Sequence, residues 1–252
     1  MDAALLGLLQ GLTEFLPVSS SGHLALGQKL LGWKDADANF LFNVAVHLGS
    51  LAAVLWFVRR EIVAMFTKEP RLILVGAVAT VPVGVIGVLL KDNVKELSTN
   101  MMAVGAFLLC TAAFLTLATR LKDGERRASE LPWVRAVLVG FAQALAIFPG
   151  ISRSGSTLVG GLAAGLEREQ AVRFSFLLAV PAIAGAGLFT FLGGGEEGVQ
   201  VDMLPLLVGA AVSFGASVVA MRLMVAAVVR RKLGWFALYC AVLGCVVIVV
   251  GS

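Results

Sequence analysis

Ionisable residues in or beside the apolar stretches of this chain are few, and Glu14, His23, His47, Arg153 and Arg222 are the ones that could do chemistry there. Three of them fall in two short motifs. The first reads Gln10-Gly11-Leu12-Thr13-Glu14-Phe15-Leu16-Pro17-Val18-Ser19-Ser20-Ser21-Gly22-His23, and the second Pro149-Gly150-Ile151-Ser152-Arg153-Ser154-Gly155-Ser156-Thr157. An arginine in an apolar enclosure needs an anion, and its planar fork matches phosphate oxygens. Ser152, Ser154 and Ser156 stand where a short helix opens, and its unpaired N–H groups favour an anion at the same point. Ser19, Ser20 and Ser21 offer hydroxyls, one of which can attack phosphorus, while Glu14 and His23 can handle protons. Glu14 can instead hold a divalent cation on the substrate. Phosphoryl transfer depends mainly on positioning and charge stabilisation, and this set supplies both.

The remaining polar residues read differently. His47 lies in a long apolar span without a polar counterpart and is expected to be a satisfied histidine of the helix bundle. Arg222 precedes Val229 by seven residues, about 10 Å at 1.5 Å per residue, near enough to the interface to snorkel.

The elements that position these motifs are membrane elements. Of 252 residues, 59% are apolar and 14% charged, where an average soluble domain carries about 25% charge. The mean hydropathy is +0.93. These values exclude a soluble enzyme, a disordered chain and a nucleic-acid-binding module. The net charge of +4 belongs in cytoplasmic loops, where it sets orientation. Cys110, Cys240 and Cys245 lie in apolar runs without metal-type spacing, as small buried hydrophobes. Met1-Asp2 is acidic where a signal peptide is basic, so the first apolar run is read as part of the mature protein.

A spanning helix needs about 20 apolar residues. Six stretches approach or reach that length: Phe40–Val58, Leu72–Leu90, Met101–Ala118, Val172–Leu192, Met203–Val229 and Trp235–Val250. Ala3–Leu16, Leu24–Gly32, Val134–Phe148 and Thr157–Leu166 are shorter, and each pair is joined by a Pro/Gly/Ser-rich turn. Half-length helices around a breaker predict a re-entrant hairpin with its tip buried in protein. The expected fold is therefore an all-α polytopic membrane protein, with six transmembrane helices and two re-entrant helical hairpins in one domain, 1–252.

Arg59, Arg60, Lys68, Arg71, Arg120, Lys122, Arg126, Arg127, Arg135, Arg168, Arg173, Arg230, Arg231 and Lys232, most of the 20 basic residues, flank four of the intervals between spans. The positive-inside rule makes these cytoplasmic. The loops at 91–100 (Lys91, Asp92, Lys95, Glu96) and 193–202 (Glu196, Glu197, Asp202) become external, as do both termini. The hairpins then enter from opposite faces. A repeat gives the same picture: the two motifs align without gaps through Gln10/Gln143, Leu12/Leu145, Phe15/Phe148, Ser19/Ser152, Ser21/Ser154 and Gly22/Gly155. After a one-residue slip, Phe40/Phe174, Phe42/Phe176 and Val46/Val180 continue it. Halves of about 1–118 and 134–252 in opposite orientation predict an inverted-topology repeat with its site near the midplane. Gln10 and Gln143 are expected to bond across the repeat axis, and either can touch substrate.

The first motif closely resembles the first signature of the undecaprenyl-diphosphate phosphatase (bacitracin-resistance protein) family, in which Glu or Gln, three residues and Glu precede a Pro-Val-Ser-Ser-rich turn and Gly-His. The Pro149–Gly155 run resembles its second signature, and the likeness extends over essentially the whole chain. The resemblance implies hydrolysis of undecaprenyl diphosphate to the monophosphate with release of inorganic phosphate. That reaction recycles the lipid carrier of cell-wall synthesis at the outer face of the bacterial cytoplasmic (inner) membrane, with Mg²⁺ or Ca²⁺ as cofactor. Carried over by position, Glu14 matches the motif carboxylate and is the candidate metal ligand, Gln10 matches the Glu/Gln, Ser20 the nucleophile, His23 the motif histidine and Arg153 the phosphate-binding arginine. Ser19, Ser21, Ser152, Ser154 and Thr157 would line the same pocket. Gln10 leaves the site one carboxylate, which argues against a two-carboxylate metal clamp. Attack by Ser20, by His23 or by activated water all remain open from sequence. The expected partners are a polyprenyl diphosphate lipid and the bilayer, with a homodimer among the assemblies allowed. The rival reading is a transporter or flippase for a phosphate-bearing lipid or anion, since inverted repeats with broken helices also serve transport.

Overall fold

The computed structural model describes residues 1–33, 36–90, 93–94, 97, 100–192 and 202–251. Lys91, Asp92, Lys95, Glu96, Glu196 and Glu197, assigned above to external loops, lie outside the described residues. The described helices are α1 (Asp2–Phe15), α2 (Ser20–Leu30), α3 (Ala36–Phe57), α4 (Arg59–Thr67), α5 (Arg71–Leu89), α6 (Met101–Arg120), α7 (Trp133–Ala144), α8 (Arg153–Ala163), α9 (Arg168–Leu192), α10 (Met203–Val229) and α11 (Leu233–Gly251). Six of them, α3, α5, α6, α9, α10 and α11, are long and apolar enough to cross a membrane. With the composition, they make the chain a multi-pass membrane protein.

α1, and the 3₁₀ turn Leu145–Ile147 that extends α7, stop where proline requires it. Leu16, before Pro17, has ψ 147°, and Phe148, before Pro149, has ψ 131°. A residue preceding proline is pushed out of the helical region by the ring. The turns that follow are shorter than the serine-rich composition suggests, because α2 already begins at Ser20 and α8 at Arg153. Serine is poor inside a helix but good at its start, where its oxygen satisfies a free N–H. Ser152 does this for the amide of Gly155 at 3.1 Å. The basic segment after α3, an interval between the predicted spans, forms α4, since its Arg, Glu, Ala and Met residues favour helix.

Small residues let the long helices approach closely, as membrane packing demands. α1 lies against α10 so tightly that a Cβ on Gly11 would stand 2.4 Å from the Ser213 carbonyl oxygen. On the neighbouring face, Ser217 donates to Ser50 at 3.1 Å, Ser50 and Ser213 are 2.9 Å apart, and Ser213 donates to the Val46 carbonyl at 2.8 Å. This hydroxyl chain joins α3 to α10. α5 packs on α7, α6 on α11, and α3 on α9. Below the site, Phe176 receives Phe15 and Phe57 edge-on at centroid distances of 5.7 Å.

The basic segments gather at one end of the molecule. Asp123 accepts bonds from Arg168 and Arg231, Arg127 reaches Glu69 at 2.5 Å, and Arg173 bridges Glu61 and Glu169. Arg71 donates to the Leu131 carbonyl at 2.9 Å. These contacts tie the turns that follow α3, α6, α8 and α10.

Candidate active site

The first turn places Ser19 in an uncommon conformation, φ 70°, a left-handed region that costs a non-glycine residue energy and persists only when surroundings enforce it. The enforcing contacts come from α2 and α11. The Ser19 carbonyl receives the His23 amide at 3.3 Å and the His23 ring Nδ1 at 2.8 Å. The Cys240 thiol lies 3.5 Å from the Pro17 carbonyl, which it meets as a weak donor. This geometry lifts Ser20 onto the first residue of α2, facing back toward the end of α1.

The second turn is tied to α6. Thr111 donates to the Gly150 carbonyl at 2.9 Å and accepts the Ser152 amide at 3.0 Å. Gly150 itself has φ 105°, and a Cβ there would stand 2.5 Å from the Val104 carbonyl, so glycine alone fits. Ser154 crosses to the first turn and donates to the Leu16 carbonyl at 3.0 Å. The turns are thus fastened to each other as well as to the spans.

They meet at Glu14. Arg153 Nη2 donates to Glu14 Oε1 at 2.6 Å. Ser20 Oγ donates to Glu14 Oε2 at 2.6 Å, and Gln10 Nε2 donates to the same oxygen at 3.0 Å. His47 Nε2 stands 3.9 Å from it. Glu14 is buried, and the Arg153 side chain is 15% exposed. The group opens on a cavity of about 320 Å³ lined by Glu14, Ser19, Ser20, Ser21, His47, Gln143, Ser152 and Arg153 among others. An apolar trough adjoins it, sharing Val83, Ile147, Ala182 and Ala186. Arg153 Nη1 and both side-chain atoms of Gln143 are buried without hydrogen-bond partners among the described residues. Buried polar groups are ordinarily paired, so Arg153 Nη1 and Gln143 Nε2 call for an acceptor such as a phosphate oxygen, and Gln143 Oε1 for a donor.

The motif residues do not all reach the cavity. His23 turns away from it, with Nε2 2.6 Å from the Tyr239 hydroxyl. Ser154 and Thr157 are buried behind the lining, where Thr157 donates to the Arg153 carbonyl at 2.8 Å. Gln10 bonds Glu14 rather than Gln143, because Glu14 lies one helical turn further along α1. His47, expected as a satisfied histidine of the bundle, does bond the Asn43 carbonyl at 2.7 Å, and its ring also lines the cavity beside Glu14. Its being ionisable in an apolar span was the available signal. Thr111 and Tyr239 carried weaker signals, as uncharged polar residues in long spans.

A resident divalent cation does not fit these residues. Both oxygens of Glu14 are taken, one of them by a guanidinium whose charge repels a cation. No cluster of three His, Cys, Asp or Glu side chains suited to a metal exists among the described residues. Glu14 is an ion-pair partner here.

Residues 3–246 match the family model described as bacitracin resistance protein BacA. The chain is 40% identical to a protein of Carboxydothermus hydrogenoformans named undecaprenyl-diphosphatase, covering 98% of this chain and 96% of that one. It is 39% identical to an Alkaliphilus metalliredigens protein of the same name, covering 98% and 96%. A Bacteroides thetaiotaomicron protein, also so named, is 37% identical over 99% of this chain and 98% of its own.

Proposed function

Because the chain belongs to the bacitracin resistance protein BacA family, we propose that it hydrolyses undecaprenyl diphosphate to undecaprenyl phosphate and inorganic phosphate. The observation that carries this reading is Glu14 held between Ser20 and Arg153 while Arg153 Nη1 stays unpartnered among the described residues. One side of the carboxylate is a base already bonded to a hydroxyl, and the other fixes a cation with a donor in reserve. Arg153, Gln143 and the N-terminus of α8 bind the diphosphate oxygens. The apolar trough takes the first isoprene units of the tail.

Glu14 takes the Ser20 proton as Ser20 Oγ bonds to the terminal phosphorus. The bridging P–O bond breaks, and its electron pair leaves on the lipid monophosphate. Arg153 neutralises the charge that develops on the transferring group, which is the main demand of such a step. Water then releases phosphate from Ser20. His23 as nucleophile is disfavoured, because both its ring nitrogens are engaged away from the cavity. With no cluster of metal-ligating side chains among the described residues, Mg²⁺ or Ca²⁺ enters this reading as a companion of the diphosphate.

In this reading the basic end faces the cytoplasm and the termini lie outside, in the bacterial cytoplasmic membrane, which the positive-inside rule supports. The pairings α1 on α10 and α7 on α5 exchange under the proposed repeat, which supports an inverted arrangement of the halves. A homodimer belongs to the same proposal, since α5 leaves most of its span uncovered by the rest of the chain. The test is phosphate release from a C55 polyprenyl diphosphate by the purified protein in detergent with Mg²⁺ or Ca²⁺. Release that disappears in Ser20→Ala is expected, and an inert wild-type protein would overturn the reading.

A further inference from the structure

The chain contains two histidines, and the one outside the motif is the one that faces the cavity. His23 has both ring nitrogens engaged. Its Nδ1 meets the Ser19 carbonyl at 2.8 Å, so the proton sits there and Nε2 accepts from the Tyr239 hydroxyl at 2.6 Å. The rings of His23 and Tyr239 stack with centroids 5.6 Å apart. His23 therefore positions the Ser19 turn.

His47 is arranged for chemistry. Its Nδ1 donates to the Asn43 carbonyl at 2.7 Å. A carbonyl only accepts, so the ring proton is fixed on Nδ1 and Nε2 carries the free lone pair. Nε2 stands 3.9 Å from Glu14 Oε2, and the side chain is 35% exposed, on the wall shared with Ser20 and Ser152. The charged groups around it are Glu14 from α1 and Arg153 from α8.

Resting on the phosphatase reading, we infer that His47 is a further catalytic residue, the base that activates the water of the second half-reaction. The water O–H bond breaks and its proton passes to His47 Nε2, while the water oxygen bonds to the phosphorus carried by Ser20. The phosphorus–Oγ bond breaks, its electron pair stays on Oγ, and Oγ takes back the proton that Glu14 received in the first half-reaction. Inorganic phosphate leaves, and His47 returns its proton to the solvent. Glu14 cannot serve both halves, because it holds the Ser20 proton when the water must be deprotonated.

The experiment measures phosphate release from C55 polyprenyl diphosphate together with acid-quenched intact mass of the protein. His47→Gln should lower kcat by about 10²-fold, the range for a lost acid–base group, with KM falling in step, because kcat/KM reports the intact first half-reaction. Phosphorylated Ser20 should accumulate during turnover, because the first half-reaction is intact. His47→Asn, a smaller replacement, should behave alike. Wild-type kcat in both variants, or slowed release with no phosphoserine, overturns the assignment. Wild-type protein that releases no phosphate overturns the phosphatase reading itself and is told apart by that control.

Discussion

Arg153 and Glu14 stand 139 residues apart in the chain and meet through a 2.6 Å bond from Nη2 to Oε1. Each lies beside a proline-broken turn, so the pair forms only when both turns are folded and docked. Removing one partner of a buried ion pair leaves the other uncompensated, which costs about 3–5 kcal/mol. The same pair serves stability and chemistry. Arg153→Ala should lose about 10²–10³-fold in kcat. Arg153→Lys should recover little, since a point charge cannot hold Glu14 and a phosphate oxygen in one plane. Phosphate release by both variants measures this, and near wild-type activity in Arg153→Lys would contradict the role given to the guanidinium.

Glu14→Gln keeps the shape and removes the base. A kcat reduced by about 10²–10⁴-fold is expected, with trapped protein showing unmodified Ser20. Phosphoserine formed at the wild-type rate would contradict the assignment of Glu14 as the acceptor of the Ser20 proton.

Tyr239→Phe deletes one hydrogen bond to His23 and should lower stability by about 1 kcal/mol. Activity should fall severalfold in kcat with KM unchanged, because the loosened His23 no longer holds Ser19 at its positive φ. Thermal unfolding and steady-state kinetics on one preparation separate the two effects.

Gly11→Val tests the close approach of α1 to α10. A Cβ there already lies 2.4 Å from the Ser213 carbonyl oxygen, and overpacking of this kind costs about 1–3 kcal/mol. The displaced helix carries Glu14 with it, so Tm and phosphate release should drop together. Gly215→Ala, where an added Cβ meets nothing within 4 Å, should leave Tm unchanged or raise it.

Asp123 gives the pH dependence. The hydrogen bond from Arg168, with that from Arg231, holds its carboxyl below the usual carboxylate range. A carboxyl lowered on folding stabilises the protein above its unfolded value, about 3.9. That contribution is lost as pH falls through the lower folded value. The difference in Tm between wild type and Asp123→Asn should therefore be constant above about pH 5 and shrink below about pH 4. A difference that grows with acidification would refute the assignment.

Much of this protein follows from the order of its residues alone. Lipid tolerates few polar groups, so hydropathy marked the six spans to within a few residues, and the scarcity of charge singled out Glu14 and Arg153. Proline rules placed both breaks, at Leu16 and Phe148. The starts of α2 and α8 were harder to read, because serine suits a turn and a helix start equally well. Side-chain direction was out of reach for a different reason. His23 and His47 are both ionisable residues in apolar surroundings, and local sequence ranks the motif residue first. Which of them faces Ser20 depends on contacts made far along the chain. Tyr239, more than two hundred residues from His23, draws that ring away from the cavity, while the docking of α1 and α3 on α10 brings His47 to Glu14.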